Sequence, residues 1–231
     1  ETSDSWIQSR TGIAARRVVG PEESLAELSA EAARRALAMA GWSADSLDLI
    51  VLATSTPDDL FGSAPRLQAA LGATQAAAFD LTAACSGFLF SVVTAAQYLR
   101  TGAMRRVLVV GADQLSRWVD WDDRRSCVLF GDAAGALVLE ASNDGRDDLE
   151  GFVLRSDGSR GGVLQLPQQD EHQPLIDGAT HQKGGFQTIQ MNGQEVYKFA
   201  VREVPGILQT LLSNTKTQPE QLDWLLLHQA N

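Results

Sequence analysis

Ala44-Asp-Ser-Leu-Asp-Leu-Ile-Val-Leu52 and Pro219-Glu-Gln-Leu-Asp-Trp-Leu-Leu-Leu227 are two versions of one phrase, 175 positions apart (44 to 219) in a chain of 231 residues. In both, a short acidic turn and a Leu-Asp pair lead into an apolar run, the signature of a strand buried on both faces. The helix-period segments before them align too, so a duplicated helix–strand unit is expected. The first copy extends to about Glu140, and a complete second copy needs about 84 residues past Asn231. The strand expected near residue 151 has its counterpart ahead of Glu1, so the chain reads as a fragment lacking both ends.

The remaining elements follow from period and punctuation. A helix is expected from Ser24, as cap, to Ala40, closed by Gly41, with Leu25, Leu28, Ala32, Ala36 and Met39 at helical spacing. Leu47–Ala53 reads as a buried strand, Ser63–Leu71 as a helix with Pro65 in its first turn, and Ala76–Leu81 as a second strand. Cys85 to Arg100 is apolar and helical, with Gly102 as the stop. Strands are expected at Arg106–Gly111 and Val128–Leu139, the latter broken by Gly131 and Gly135, and another at Gly151–Ser156. Residues 161–185 read as loop. A helix from Gly193 to about Leu212 contains Pro205, which must kink or interrupt it. Trp224–His228 completes the set as a strand. This alternation predicts an α/β layered fold. A polar, turn-rich stretch at Ser142–Asp148 suggests a division into halves at 1–145 and 146–231.

Lys and Arg total 19 against 29 Asp and Glu, a net charge of -10. That excess of acid excludes a phosphate-tracking nucleic-acid binder. The two cysteines, Cys85 and Cys127, give no disulfide framework, which makes a reducing cytoplasm the default. No apolar run reaches the length of a membrane span, and no spacing of Cys, His and acids predicts a metal site.

Cys85, in Leu81-Thr-Ala-Ala-Cys-Ser-Gly-Phe88, sits where a strand turns into a helix among small residues. This is nucleophile-elbow logic with sulfur, and the helix N-terminus is expected to lower the thiol pKa. Cys127 reads as core. His228 ends an expected strand, where functional groups of an open parallel sheet gather, and can exchange a proton or donate to an oxyanion. Trp6 and Arg10 are able to sandwich a purine ring, and Arg124 to add a phosphate contact. Lys198 and Arg202, on one helical face, offer a docking spot for an acidic partner. A buried structural cysteine or solvated arginines account for any one of these alone.

Together, Phe79-Asp-Leu-Thr-Ala-Ala-Cys-Ser-Gly-Phe88, Val109-Val-Gly-Ala-Asp113, Val128-Leu-Phe-Gly-Asp-Ala-Ala-Gly-Ala136, Met191-Asn-Gly-Gln-Glu-Val-Tyr-Lys198 and His228-Gln-Ala-Asn231 are specific. With Thr2-Ser-Asp-Ser-Trp-Ile-Gln-Ser-Arg-Thr-Gly-Ile13, they make the chain resemble the β-ketoacyl-acyl-carrier-protein synthase III family of the thiolase fold. The resemblance implies a duplicated α/β/α fold and a cytoplasmic homodimer without a bound cofactor. It implies that Cys85 is acetylated by acetyl-CoA and that malonyl-acyl carrier protein then condenses with loss of carbon dioxide, His228 stabilising the enolate. It assigns Trp6, Arg10 and Arg124 to the nucleotide end of CoA, and Gly193 and Asn231 to the pantetheine tunnel. Phe61 would border the acyl pocket across a dimer interface, and Lys198, with Arg202 beside it, would dock the carrier protein. The third catalytic residue, an asparagine, is expected beyond Asn231, so the isolated chain is expected to be inactive or poorly soluble. A CoA-binding but silent fragment, a Cys85/His228 thioester hydrolase and a polyketide- or quinolone-type condensing enzyme are the competing classes.

Overall fold

A computed structural model describes residues 3–229. In chain order the elements are α1 (Asp4–Thr11), α2 (Leu25–Ala40), β1 (Leu49–Ala53), α3 (Ala64–Leu71), β2 (Ala77–Leu81), α4 (Gly87–Arg100), β3 (Arg106–Gln114) and β4 (Asp132–Glu140). They continue as β5 (Leu164–Gln165), β6 (Glu171–Ile176), β7 (Ala179–Lys183), β8 (Gln190–Met191) and α5 (Gly193–Thr215). Packing groups Arg17–Leu115 with Gly131–Leu154 as one compact unit. Residues up to Arg16, Ser116–Phe130 and those from Arg155 onward form another. These are units of packing and do not bear on the halves at 1–145 and 146–231 expected from the sequence.

The first unit is a sheet in the order β2-β1-β3-β4. β1 runs parallel to both β2 and β3, and β4 returns antiparallel to β3. Every residue of β1 is buried, as its unbroken apolar run requires of a central strand covered on both faces. Alternation sorts its side chains. Ile50 and Leu52, with Leu108 and Val110 of β3, pack against Leu25, Ala30, Ala33 and Leu37 of α2 and Leu67 of α3. Leu49 and Val51, with Val107 and Val109, pack on the opposite face with Ala95 of α4. Helices thus cover both faces, the layered arrangement expected from the sequence.

Local chemistry fixes the helix ends. The Ser24 hydroxyl accepts the Glu27 amide at 3.1 Å, and the Glu27 carboxylate accepts the Ser24 amide at 3.3 Å. The Asp58 carboxylate adds bonds from the Leu25 and Ala26 amides at 3.2 and 3.0 Å, placing negative charge at the N-terminus of α2. Asp80 does the same for α3, accepting the Ala64 amide at 2.6 Å.

The duplication is visible in backbone bonds. Gly41 closes α2 in the left-handed region, its N–H donating to Leu37 and Ala38 carbonyls. Lys216, 175 positions on, closes α5 in the same region, donating to the matching Leu212 and Ser213 carbonyls. A 3-10 turn follows each, Ala44–Ser46 and Pro219–Gln221. Beyond that turn the copies diverge. Leu49–Ala53 is a strand; the expected strand Trp224–His228 is not one, and Trp224 and Leu226 are 83% and 88% exposed. A strand exists only through ladder bonds to a neighbour, and this segment has none among the described residues.

The same reason removes the strand expected at Gly151–Ser156. Cys127–Leu129 lie in turns and Phe130 in no regular element, β4 beginning only at Asp132, and Cys127 is half-buried instead of core. Residues 161–185 are less loop-like than expected: β6 and β7 pair as a hairpin across Asp177-Gly178, with Gly178 at φ +78 and a register shift between Pro174 and Ile176. α1 is an addition, capped by the Ser3 hydroxyl accepting the Trp6 amide at 3.1 Å. α5 runs through Pro205 without interruption. No helix among the described residues is long and apolar enough to cross a membrane.

Candidate active site

The turn that carries Cys85 is built from close approaches. β2 ends at Leu81, and a 3-10 turn over Ala84–Ser86 leads directly into α4. Ala84 has φ +46, a conformation that costs an L-residue roughly 1–3 kcal/mol and persists only where surroundings impose it. The surroundings are tight. A Cβ on Gly87 would meet the Ala53 Cβ at 3.4 Å, and one on Gly111 would meet Phe88 Cδ2 at 3.1 Å. These two glycines let the first turn of α4 press onto β1 and β3, which leaves Cys85 exposed at the carboxyl end of the sheet.

The electrostatics differ from the sequence expectation. The Cys85 thiol is pushed up, first by the protein packed around the sulfur and second by the negative charge of Asp113, against a smaller opposing pull from its own backbone amide. The amide end of α4 therefore does not win, and the expected lowering is corrected. Asp113 itself was given no role from the sequence. Its carboxyl is also raised by burial, against bonds from Ser55, Thr56 and Thr54. The signal for it was present: an acid ending the apolar strand β3 at the edge where sites form.

The other sequence-derived residues, Phe61 apart, fall in the second unit. The Arg10 guanidinium lies over the Trp6 indole, 4.9 Å from its centroid, both on α1, so one face of that ring is already covered. Arg124 is exposed in a turn. Gly193 opens α5 behind Asn192, whose side chain accepts the Glu195 amide at 3.3 Å. Lys198 pairs with Glu195 at 2.6 Å. Lys198, and beyond it Arg160 and Arg202, hold the Glu195 carboxyl below the usual carboxylate range. His228 is exposed. Phe61, in the sheet unit between β1 and α3, is 99% exposed. Asn231 lies outside the described residues. No group of three metal-ligating side chains occurs among the described residues.

A strained turn presenting a cysteine between a parallel strand and a helix, on a layered sheet, is the setting of a nucleophilic cysteine. A family model described as 3-Oxoacyl-[acyl-carrier-protein (ACP)] synthase III matches residues 79–158, which include Cys85 and Asp113. The whole chain is 73% identical to the β-ketoacyl-[acyl-carrier-protein] synthase III of Prochlorococcus marinus (strain MIT 9313), of which it covers 68%. It is 70% identical to that of Synechococcus sp. (strain WH7803), again over 68% of that protein. The solved 3-oxoacyl-[acyl-carrier-protein] synthase III of Aquifex aeolicus VF5 superposes on all of the chain with a TM-score of 0.87 at 39% identity, the chain covering 69% of it. The chain belongs to the β-ketoacyl-[acyl-carrier-protein] synthase III family.

Proposed function

We propose that Cys85 is the nucleophile of a two-step decarboxylative condensation that starts fatty-acid synthesis. Its sulfur attacks the thioester carbon of acetyl-CoA, the carbon–sulfur bond to CoA breaks, and CoA leaves as the thiol with the cysteine's proton. Malonyl-acyl carrier protein then loses carbon dioxide. The resulting enolate carbon attacks the acetyl group, and the sulfur of Cys85 departs as the thiolate, which takes a proton from solvent, to give acetoacetyl-acyl carrier protein. His228 donates to the enolate oxygen, the kind of contact whose removal typically costs about 10²–10³ in rate. Decarboxylation supplies the carbanion, so the reaction needs no bound cofactor, and its thioester substrates are cytoplasmic.

The observation that carries this reading is the strained Ala84–Cys85 turn at the carboxyl end of a parallel sheet. Trp6, Arg10 and Arg124 bind the nucleotide end of CoA, the free face of the Trp6 ring taking the adenine. Gly193 and Asn231 line the pantetheine path. Phe61 borders the acyl pocket in a homodimer, which is consistent with a large apolar ring left 99% exposed in one chain. Lys198 and Arg202 dock the carrier protein. The halves at 1–145 and 146–231 are two descendants of one unit, a division supported by the matched helix caps at Gly41 and Lys216.

Labelled acetyl-CoA tests the reading. Label is expected on Cys85, lost in Cys85→Ala and kept in Cys127→Ala; Trp6→Ala weakens CoA binding without changing alkylation of Cys85. Label on Cys127, or free acetate as the only product with malonyl-carrier protein present, overturns it in favour of a different nucleophile or a hydrolase.

A further inference from the structure

Residues from three separate stretches, 54–56, 81–82 and 113–114, are joined by hydrogen bonds beside the Cys85 turn. One oxygen of Asp113, Oδ1, accepts the Ser55 amide at 2.8 Å and the Thr54 and Thr56 hydroxyls at 3.2 Å each. The Thr56 hydroxyl also accepts the Gln114 amide at 2.8 Å, and the Thr54 hydroxyl accepts the Thr56 amide at 3.1 Å. The segment after β1 is thereby tied to the end of β3. Thr54 in turn holds the chain that leads to the nucleophile from two sides: its N–H donates to the Leu81 carbonyl at 3.1 Å, and its carbonyl accepts the Thr82 hydroxyl. Thr82 stands two residues before Ala84, the residue held at φ +46. A strained conformation needs anchors on both sides. On the helix side they are the Gly87–Ala53 and Gly111–Phe88 approaches; on the strand side they are Thr82, Thr54 and, through Thr54, Asp113.

We infer that Asp113 is a positioning residue for the nucleophile, acting through Thr54 and Thr82 to hold the Ala84–Cys85 turn in the orientation that acyl transfer requires. The inference rests on Cys85 being the acylated residue. Its charge is incidental to this task, because all three donors use Oδ1, an atom that asparagine also carries. Displacing a reacting group by about 1 Å costs up to ~10²-fold in rate, so even a loosened anchor is measurable.

The experiment compares Asp113→Asn, Asp113→Ala and Thr82→Val in the full-length protein by two readouts, single-turnover acetylation from acetyl-CoA and the pH profile of Cys85 alkylation by iodoacetamide. Acetylation is expected to fall by about tenfold or more in Asp113→Ala and Thr82→Val, while the alkylation plateau stays within about twofold, because a small alkylator needs no oriented approach. Asp113→Asn is expected to acetylate within about threefold of the parent, with its alkylation midpoint moved to lower pH by loss of the negative charge. Parental acetylation rates in folded Thr82→Val overturn the inference, as does Asp113→Asn acetylating as slowly as Asp113→Ala. Should Asp113→Ala fail to fold, Thr82→Val and Asp113→Asn decide alone. Acetyl label that survives Cys85→Ala overturns the nucleophile assignment itself, a separate outcome.

Discussion

Cys85 and Asp113 are 28 positions apart (85 to 113), yet each raises the cost of the other's ionisation. The thiol is held up by burial first and by Asp113 second, so the resting chain keeps a protonated sulfur near neutral pH. Its alkylation rate is expected to climb with pH to a midpoint above that of a free cysteine, about 8.5. A midpoint at or below that value would contradict the field described. The sign for Asp113 can be worked out as well. Its folded pKa is raised, so the stability it contributes is complete below the unfolded aspartate value and is lost as pH rises through the folded one. Asp113→Asn removes that loss while keeping the Oδ1 acceptor. Its melting temperature is expected to equal or exceed the parent's at pH 7, with any difference vanishing towards pH 3, where the parent's carboxyl is also neutral. Thermal melts across that range check this, and a variant less stable than its parent only at pH 7 would refute it.

Among the elements, the two helix ends built on one plan differ in one informative residue. Gly41 and Lys216 both close a helix in the left-handed region, at φ 69 and φ 57. For an L-residue that conformation costs roughly 1–2 kcal/mol, which glycine escapes. Lys216→Gly is therefore expected to stabilise the protein by about 1 kcal/mol and Gly41→Ala to destabilise it by about the same amount, read by denaturant unfolding. No change from Lys216→Gly would mean that the second cap is not formed in solution. These caps also explain what sequence could reveal. α2 and its stop were legible because Ser24, Glu27 and Gly41 act within a turn of the helix they bound. β1 was legible because five buried residues in a row leave little alternative. Trp224–His228 carries the same apolar run but has no ladder bonds among the described residues, and pairing is a property of neighbours rather than of the run itself. The β6–β7 hairpin went unseen because Pro174 and the surrounding glutamines weaken the strand pattern on either side of Asp177-Gly178. At the site, the Cys85 turn was legible from its small neighbours. The direction of its pKa was not, since Asp113 reaches it only through sheet register, Ala53 pairing with both Leu81 and Gly111.

At the scale of the whole molecule, a net charge of -10 must accommodate the substrates of the proposed reaction, of which CoA thioesters are polyanions. Long-range repulsion is expected to slow such encounters at low salt, while at physiological ionic strength charges beyond about 8 Å are largely screened and local pairs decide. On α5 the local balance is set by Lys198 and Arg202, with Arg160 bridging Asp157 and Glu203 at 3.2 and 3.6 Å. Lys198 is already paired with Glu195 at 2.6 Å, but both side chains are about half exposed, so the pair is worth little and can open to a carrier's carboxylates. Replacing Lys198 and Arg202 together by alanine is expected to raise the KM for malonyl-carrier protein by roughly three- to tenfold at low salt, with a smaller effect in 0.5 M salt, as for rim charges in general. The rate of Cys85 acetylation by acetyl-CoA should not move, because α5's cations take no part in that step. Glu195→Gln supplies the opposite sign: it frees Lys198 and is expected to lower the same KM. Steady-state kinetics at two ionic strengths measure all three, and a carrier KM indifferent to both substitutions at low salt would remove α5 from the docking surface.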